Sequence, residues 1–296
     1  MYGEKMDNIS RDRYRFLRFP GGKGKAVTFS YDDGSVYDLK LARIFTEHQM
    51  KCTFNLCGQH FRADTRISSD DVSNAILLGG HEIGIHGDMH RAEGLVKPIE
   101  AITDILNCRL YLEDRYNTII RGMAYPDSGV IHFENQVNYD VVKNYLKSLD
   151  IAYSRTIGKD NDSFLLPEDW YCWSPSAHHT NPRIMDYIEK FIKLDLSGKD
   201  YCLYRLPRLL FIWGHSHEFE NMNNWYLIEN ICEKLAGRDE IWYATNIEIY
   251  NYVTAYHSLV FSANCKIVYN PTLMDVWFDL DGNLICVKSG ETLNLK

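Results

Sequence analysis

The chain has no excess of positive charge: its 296 residues carry 32 Lys and Arg against 40 Asp and Glu, a formal net charge of −8. Nucleic-acid affinity rests on clustered Lys and Arg that displace counterions, so a phosphate-backbone partner is excluded, while neutral and cationic substrates stay open. No run reaches the roughly 20 apolar residues of a membrane helix, and no membrane association is expected. The opening segment MYGEKMDNISRDRYRFLRFPGG lacks the continuous apolar stretch of a secretory signal. None of the eight cysteines (Cys52, Cys57, Cys108, Cys172, Cys202, Cys232, Cys265 and Cys286) forms a CxxC pair, and several lie in apolar stretches such as 105–112 and 284–287. Buried free thiols in a reducing compartment explain this better than a disulfide framework, so a cytoplasmic location is expected. The 8 prolines and 19 glycines are scattered, with no low-complexity tract and no fixed-period repeat, which removes disordered and solenoid architectures.

What is present is an ordinary globular composition, 45% hydrophobic and 24% charged. Short β-like runs alternate with helical ones, the pattern of an α/β protein with a mainly parallel sheet. Strands are expected at 26–31, 52–56, 81–86, 119–124, 151–154, 209–213 and 241–244, and helices at 36–48, 69–78, 99–115, 136–149, 182–194 and 225–235. Seven strands with helices between them suggest a barrel, closed or missing a strand, rather than an open sheet. After about Ser262 the texture changes, and Asp281-Gly282 between two apolar runs signals a type I′ hairpin. The chain thus reads as a lead-in (1–24), a barrel (25–261) and a small C-terminal β extension packed on the barrel (262–296).

Polar clusters fall at the ends of the expected strands, where a barrel keeps its reactive groups. The first strand ends in Ser30-Tyr31-Asp32-Asp33-Gly34. Two adjacent carboxylates repel unless a cation or a proton offsets one of them, although a solvated Asp-Asp-Gly turn has the same sequence. The third strand leads into His86-Gly87-Asp88-Met89-His90. Histidines four apart can present both imidazoles on one side, and with one carboxylate they make a metal-binding face with open positions. A late apolar run ends in Trp213-Gly214-His215-Ser216-His217.

In order and spacing these motifs resemble the polysaccharide deacetylases of carbohydrate esterase family four, the domain shared with nodulation chitooligosaccharide deacetylases, over residues 25–257. The resemblance implies a distorted (β/α) barrel, usually of seven strands. It implies Asp32 as general base and a divalent metal held by Asp33, His86 and His90, zinc first, with cobalt or nickel as alternatives. The segment from Arg121 to Pro126 is similar to a third motif, in which a backbone N–H beside the proline, here in the Tyr125 region, helps hold an oxyanion and an arginine orients the base. Anchoring on Pro126 puts Ala124 where that arginine normally stands, leaving Arg121, three positions early, either for the orienting role or as a salt-bridged arginine at a strand start. Gly87 stands where the family has a Ser or Thr that steadies the metal loop, with Asp88 as a candidate substitute. Trp170 and Trp173 resemble an Asp-Trp motif lining the acetyl pocket, or are core residues. His178 and His179 are groove residues or a polar loop. The general acid falls on His215, ahead of His217, which is assigned to the substrate groove with Pro126; otherwise both are loop histidines held by Glu218 or Glu220.

The resemblance implies a hydrolase that removes N- or O-acetyl groups from an acetylated oligo- or polysaccharide and releases acetate. Specificity would lie in loops such as 62–71 and 171–182. Two alternatives stand beside it: a small-molecule cyclic amidase on the same scaffold, and a catalytically silent carbohydrate-binding protein.

Overall fold

A computed structural model describes residues 14–61, 66–196 and 205–295. The first thirteen residues of the lead-in, positions 62–65 of the expected specificity loop, and Cys202 lie outside the described residues. A short strand, β1 (Arg15–Arg18), precedes the main sheet. That sheet contains β2 (Lys25–Asp33), β3 (Cys52–Leu56), β4 (Glu82–Ile85), β5 (Gly122–Ala124), β6 (Tyr153–Arg155), β7 (Ala177–His178), β8 (Arg208–Gly214) and β9 (Ile241–Tyr243). Seven run in the order β6-β5-β4-β3-β2-β8-β7, and the eighth, β9, pairs with β2. All these pairings are parallel. β2 is central: β8 runs along its Lys25 to Tyr31, while β9 takes Lys25 to Val27 and β3 takes Phe29 to Asp33.

Residues 173–178 draw the two edges of the sheet together. Trp173 N–H donates to the Ser154 carbonyl and Thr156 N–H to the Trp173 carbonyl, both at 3.0 Å, while Ala177 and His178 pair with β8. The result is a distorted (β/α) barrel. Its helices are α1 (Asp38–Glu47), α2 (Ser69–Asp71, continuing as a π-helical stretch Val72–Leu77), α3 (Pro98–Tyr116), α4 (Tyr139–Ser148), α5 (Ile184–Lys193), α6 (Ser216–Asn221), α7 (Tyr226–Leu235) and α8 (Asn246–His257).

The two-residue period of a strand sorts the side chains of β2. Val27, Phe29 and Tyr31 join the large apolar cluster beneath the helices, with Leu41 and Phe45 of α1 and Ile228 and Ile231 of α7. Thr28, Ser30 and Asp32 take the opposite face, which is buried and polar. There Thr28 hydroxyl donates to Asn246 Oδ1 at 2.8 Å, and Asn246 N–H to Thr53 Oγ1 at 3.0 Å. Glu82 accepts from Thr53 and Tyr153 hydroxyls, both at 2.7 Å, and from Ile247 N–H at 2.9 Å. The first turn of α8 thus closes one end of the barrel by satisfying its interior polar groups, and α8 itself starts at a capping box between Thr245 and Glu248.

Beyond α8 come β10 (Val260–Phe261), β11 (Ile267–Tyr269), β12 (Val276–Leu280), β13 (Asn283–Val287) and β14 (Thr292–Asn294). β12 and β13 form the expected hairpin, with positive φ at both Asp281 (51°) and Gly282 (87°), as a type I′ turn demands. β1 pairs antiparallel with β12, so part of the lead-in and part of the extension share one three-stranded sheet. The extension has its own apolar cluster, of Val268, Val276, Phe278, Leu280 and Val287, which meets Ala255 of α8. No helix among the described residues is long and apolar enough to cross a membrane.

Candidate active site

β2 ends in the two aspartates, and they point different ways. Asp32, 1% exposed, keeps the inward direction of Ser30. Asn55 Nδ2 donates to its Oδ1 at 2.8 Å, and Arg155 Nη2, at the end of β6, donates to its Oδ2. Arg155 is wholly buried, and its guanidinium lies 4.4 Å from the centroid of the Trp213 ring. Asp33 leaves the strand with φ 81°, a left-handed conformation that costs a non-glycine residue on the order of 1–3 kcal/mol and persists only where the surroundings enforce it. Its Oδ1 lies 3.4 Å from His86 Nε2 and 3.4 Å from His90 Nε2.

His86 follows β4. Its Nδ1 is 2.9 Å from the Ala124 carbonyl, which can only accept, so Nδ1 carries the proton and the Nε2 lone pair faces Asp33. His90 also has positive φ, 56°. The loop between them is held by Asp104 of α3, which accepts from Asp88 N–H at 3.1 Å and Met89 N–H at 2.9 Å. Gly87 has φ 76°, and a Cβ there would lie 2.6 Å from Asp104 Oδ2, so the space of a side chain at 87 is filled by the Asp104 carboxylate. Asp88, the expected substitute, turns away: its Oδ2 is 2.6 Å from His60 Nδ1, and its Oδ1 accepts His60 N–H at 3.1 Å.

Asp33, His86 and His90 place one carboxylate oxygen and two imidazole nitrogens within 4.8 Å of one another. Asp33 Oδ1 is buried and has no hydrogen-bond partner among the described residues, so the donor set fits a cation between these three groups. Burial alone would raise the Asp33 carboxyl; His86 and His90 outweigh it and hold it well below the usual carboxylate range. Burial likewise opposes charge on His90, but Asp33 overrides it and raises the imidazole pKa.

His215 follows β8. Its Nε2 is 4.0 Å from Asp33 Oδ2 and its Nδ1 3.6 Å from Glu218 Oε2. Burial pulls its pKa down, yet Glu218, Asp32 and Asp33 together raise it. A hollow of about 340 Å³ opens among Asp32, Asp33, His86, His90, Trp213 and His215. A second, of about 330 Å³, adjoins it, shares Asp33 and His217, and extends to Tyr37 and Phe61.

Several expectations are corrected. Arg121 is not beside Asp32: at the start of β5, on the surface, its Nε donates to the Asp150 carbonyl at 3.0 Å, and Arg155 makes the pair instead. Tyr125 lines the hollow, but its N–H is spent on the Arg155 carbonyl at 3.0 Å and its hydroxyl on the Tyr171 carbonyl at 2.8 Å. The N–H that follows the proline belongs to Asp127, which also lines the hollow. Pro126 itself is buried against the Gly87 position rather than facing the cavity. Trp173, 1% exposed, packs edge-on to Tyr153 and Trp170 and against Phe211, and Trp170 packs on Tyr250 of α8; neither lines the hollow. The indole that does is Trp213. Arg155, Asn55, Asp104, Trp213 and Glu218 are the contributors that sequence reading left out of the site; the only hint was that Arg155 and Trp213 fall at or beside expected strand ends.

Residues 19–151 match the family model for polysaccharide deacetylase. No curated protein matches the chain. Among solved structures, Puue allantoinase is similar with a TM-score of 0.56 at 11% identity, covering 87% of this chain and 99% of that one. A putative polysaccharide deacetylase from Mycobacterium smegmatis gives 0.53 at 14% identity, covering 81% and 94%. A probable polysaccharide deacetylase from Pseudomonas aeruginosa PAO1 gives 0.53 at 11%, covering 79% and 92%. At such identities the structures speak for the fold, while the family model spans both aspartates and both histidines of the site. Residues 19–151 are thus similar to the polysaccharide deacetylase family, within a chain folded as a distorted (β/α) barrel.

Proposed function

We propose that this protein is a metal-dependent deacetylase that hydrolyses an N-acetyl or O-acetyl group on a carbohydrate and releases acetate. The observation that carries the reading is the buried Asp33 Oδ1, 3.4 Å from each of two imidazole Nε2 atoms and beside a second carboxylate that Arg155 and Asn55 hold in place. Asp33, His86 and His90 would hold the ion, Zn2+ or otherwise Co2+ or Ni2+, which when bound supplies Lewis acidity toward an acyl oxygen and toward water. Asp32 then takes a proton from the attacking water, because its two anchors fix the carboxylate beside the pocket. The N–H of Asp127, a residue that lines the hollow, would serve as the backbone donor to the developing oxyanion. As the acyl C–N or C–O bond breaks, His215 gives a proton to the departing atom, and Glu218 on its Nδ1 side steadies the charged ring. Trp213 and Phe61 offer flat apolar surfaces on which a sugar ring can stack.

Acetate release from acetylated chitooligosaccharides and acetylated xylan tests the reading. Asp32→Asn should abolish turnover, by at least 10²-fold for loss of a general base, with bound metal unchanged. Unchanged turnover in that variant would remove Asp32 from the chemistry. A second reading, hydrolysis of a small cyclic amide, is favoured by the similarity in fold to the allantoinase over almost all of that chain. Metal content separates the two: activity on a cyclic amide in metal-free protein, indifferent to chelators, would replace the deacetylase reading.

A further inference from the structure

Across His215 from the first donor set lies a second one, of which the hydrolytic reading uses only Glu218. β7 ends in His178, the next residue is His179, and α6 supplies Glu218. The Nε2 atoms of His178 and His179 lie 3.2 and 3.3 Å from the same oxygen, Glu218 Oε2. One ligand atom from each of the three lies within 4.8 Å of the others. Bonds of 2.0–2.1 Å to a tetrahedral ion imply ligand separations of about 3.3 Å, so the spacing already suits a cation.

His179 supplies the independent observation. It is wholly buried, yet neither ring nitrogen has a hydrogen-bond partner among the described residues. Its ring is stacked between Tyr31 and Phe219, with centroids 5.6 and 4.1 Å away, and cannot swing toward solvent. Gly214 is required beside it, because a Cβ there would lie 1.9 Å from His179 Nδ1. Glu218 Oε2, 3.3 Å from Nε2, makes no hydrogen bond with it, and a buried polar ring left without one is costly, a cost that a cation between the two groups would offset. On His178, Nδ1 accepts Thr180 N–H at 3.2 Å and lies 2.7 Å from the Thr180 hydroxyl, so Nε2, directed to Glu218, becomes a ligand only when Nδ1 takes the proton and donates it to that hydroxyl.

We propose that His178, His179 and Glu218 form a second divalent-cation site, separate from Asp33, His86 and His90. Two imidazole nitrogens and one carboxylate select zinc, cobalt or nickel over magnesium or calcium, which prefer all-oxygen shells. The two sites share no ligand; His215 stands between them, with Nε2 toward Asp33 and Nδ1 toward Glu218.

The test is metal stoichiometry, so its failure is separable from any failure of the deacetylase reading. Chelator-stripped full-length protein is equilibrated with Co2+ or Zn2+, bound metal is measured by elemental analysis, and the Co2+ absorption spectrum is recorded. The wild-type protein should bind two equivalents, His178→Ala one, His90→Ala one, and the combined variant none, with excess Mg2+ displacing neither. His178 is chosen because it is partly exposed, and Glu218→Gln provides a second variant, which should also lose one equivalent. The near-ultraviolet circular dichroism of each variant should match the parent. A wild-type protein that binds one equivalent, lost in His90→Ala and retained in His178→Ala and Glu218→Gln, would overturn the proposal. So would a second equivalent that survives both of those substitutions.

Discussion

Replacing Arg155 with methionine keeps most of the side-chain volume and removes the charge that faces Asp32. Both partners are almost completely inaccessible, and Arg155 Nε and Nη1 make no hydrogen bond among the described residues, so the pair depends on the single contact from Nη2. Breaking a buried pair by deleting one member strands the other charge, at about 3–5 kcal/mol. At about 2–4 °C per kcal/mol for a domain of this order of size, Arg155→Met should lower Tm by about 6–20 °C. Arg121→Met removes a half-buried side chain bonded to a carbonyl at the barrel's edge and should stay within about 0.5 kcal/mol of the parent. Scanning calorimetry of metal-free protein at pH 7 measures both. Adding Asp32→Asn to Arg155→Met should recover part of the loss, because the stranded charge is gone. If Arg155→Met melts with the parent, or Arg121→Met falls as far, the pairing of Arg155 with Asp32 is wrong.

Three further outcomes are expected. His81 accepts Cys52 N–H at Nδ1 (3.2 Å), and burial pushes its pKa down to about 4 from 6.5, so stability present above pH 6.5 is lost as pH falls toward 4, by about 3 kcal/mol; urea midpoints at pH 7 and 4.5 should separate accordingly in the parent and by less in His81→Asn. Gly87→Ala forces a Cβ toward Asp104 at a left-handed φ, and should cost about 1–3 kcal/mol and weaken metal binding through the His86 to His90 loop, both readable by denaturation and metal competition. Trp173→Ala should cost about 3–5 kcal/mol by emptying the core between Tyr153 and Phe211, while the KM of the folded fraction stays as it was; a raised KM with unchanged stability would return this indole to the substrate pocket.

What could be read from the sequence was local. Asp32 and Asp33 are adjacent and end a nine-residue strand, and His86 and His90 lie four apart in one loop, so their convergence needed only the parallel order β2-β3-β4. Arg155 was out of reach because its strand is three residues long and its partner stands 123 positions away. β7 has two residues, too few for any alternation, and its pairing with β8 appears only in three dimensions. α8 was missed because it is buried around much of its circumference between barrel and extension, which erases the polar stripe that marks a surface helix. The tryptophans were misassigned for a related reason: an indole beside an aspartate reads alike whether it faces a sugar or Phe211.

The pairing of Arg15 with Leu280 has a consequence for biosynthesis. β1 cannot dock on β12 until residues 276–280 have left the ribosome, and so distant a contact forms slowly. A nascent chain stalled before residue 276 would leave Phe16 and Leu17, both buried in the finished fold, without the strand that β1 pairs with.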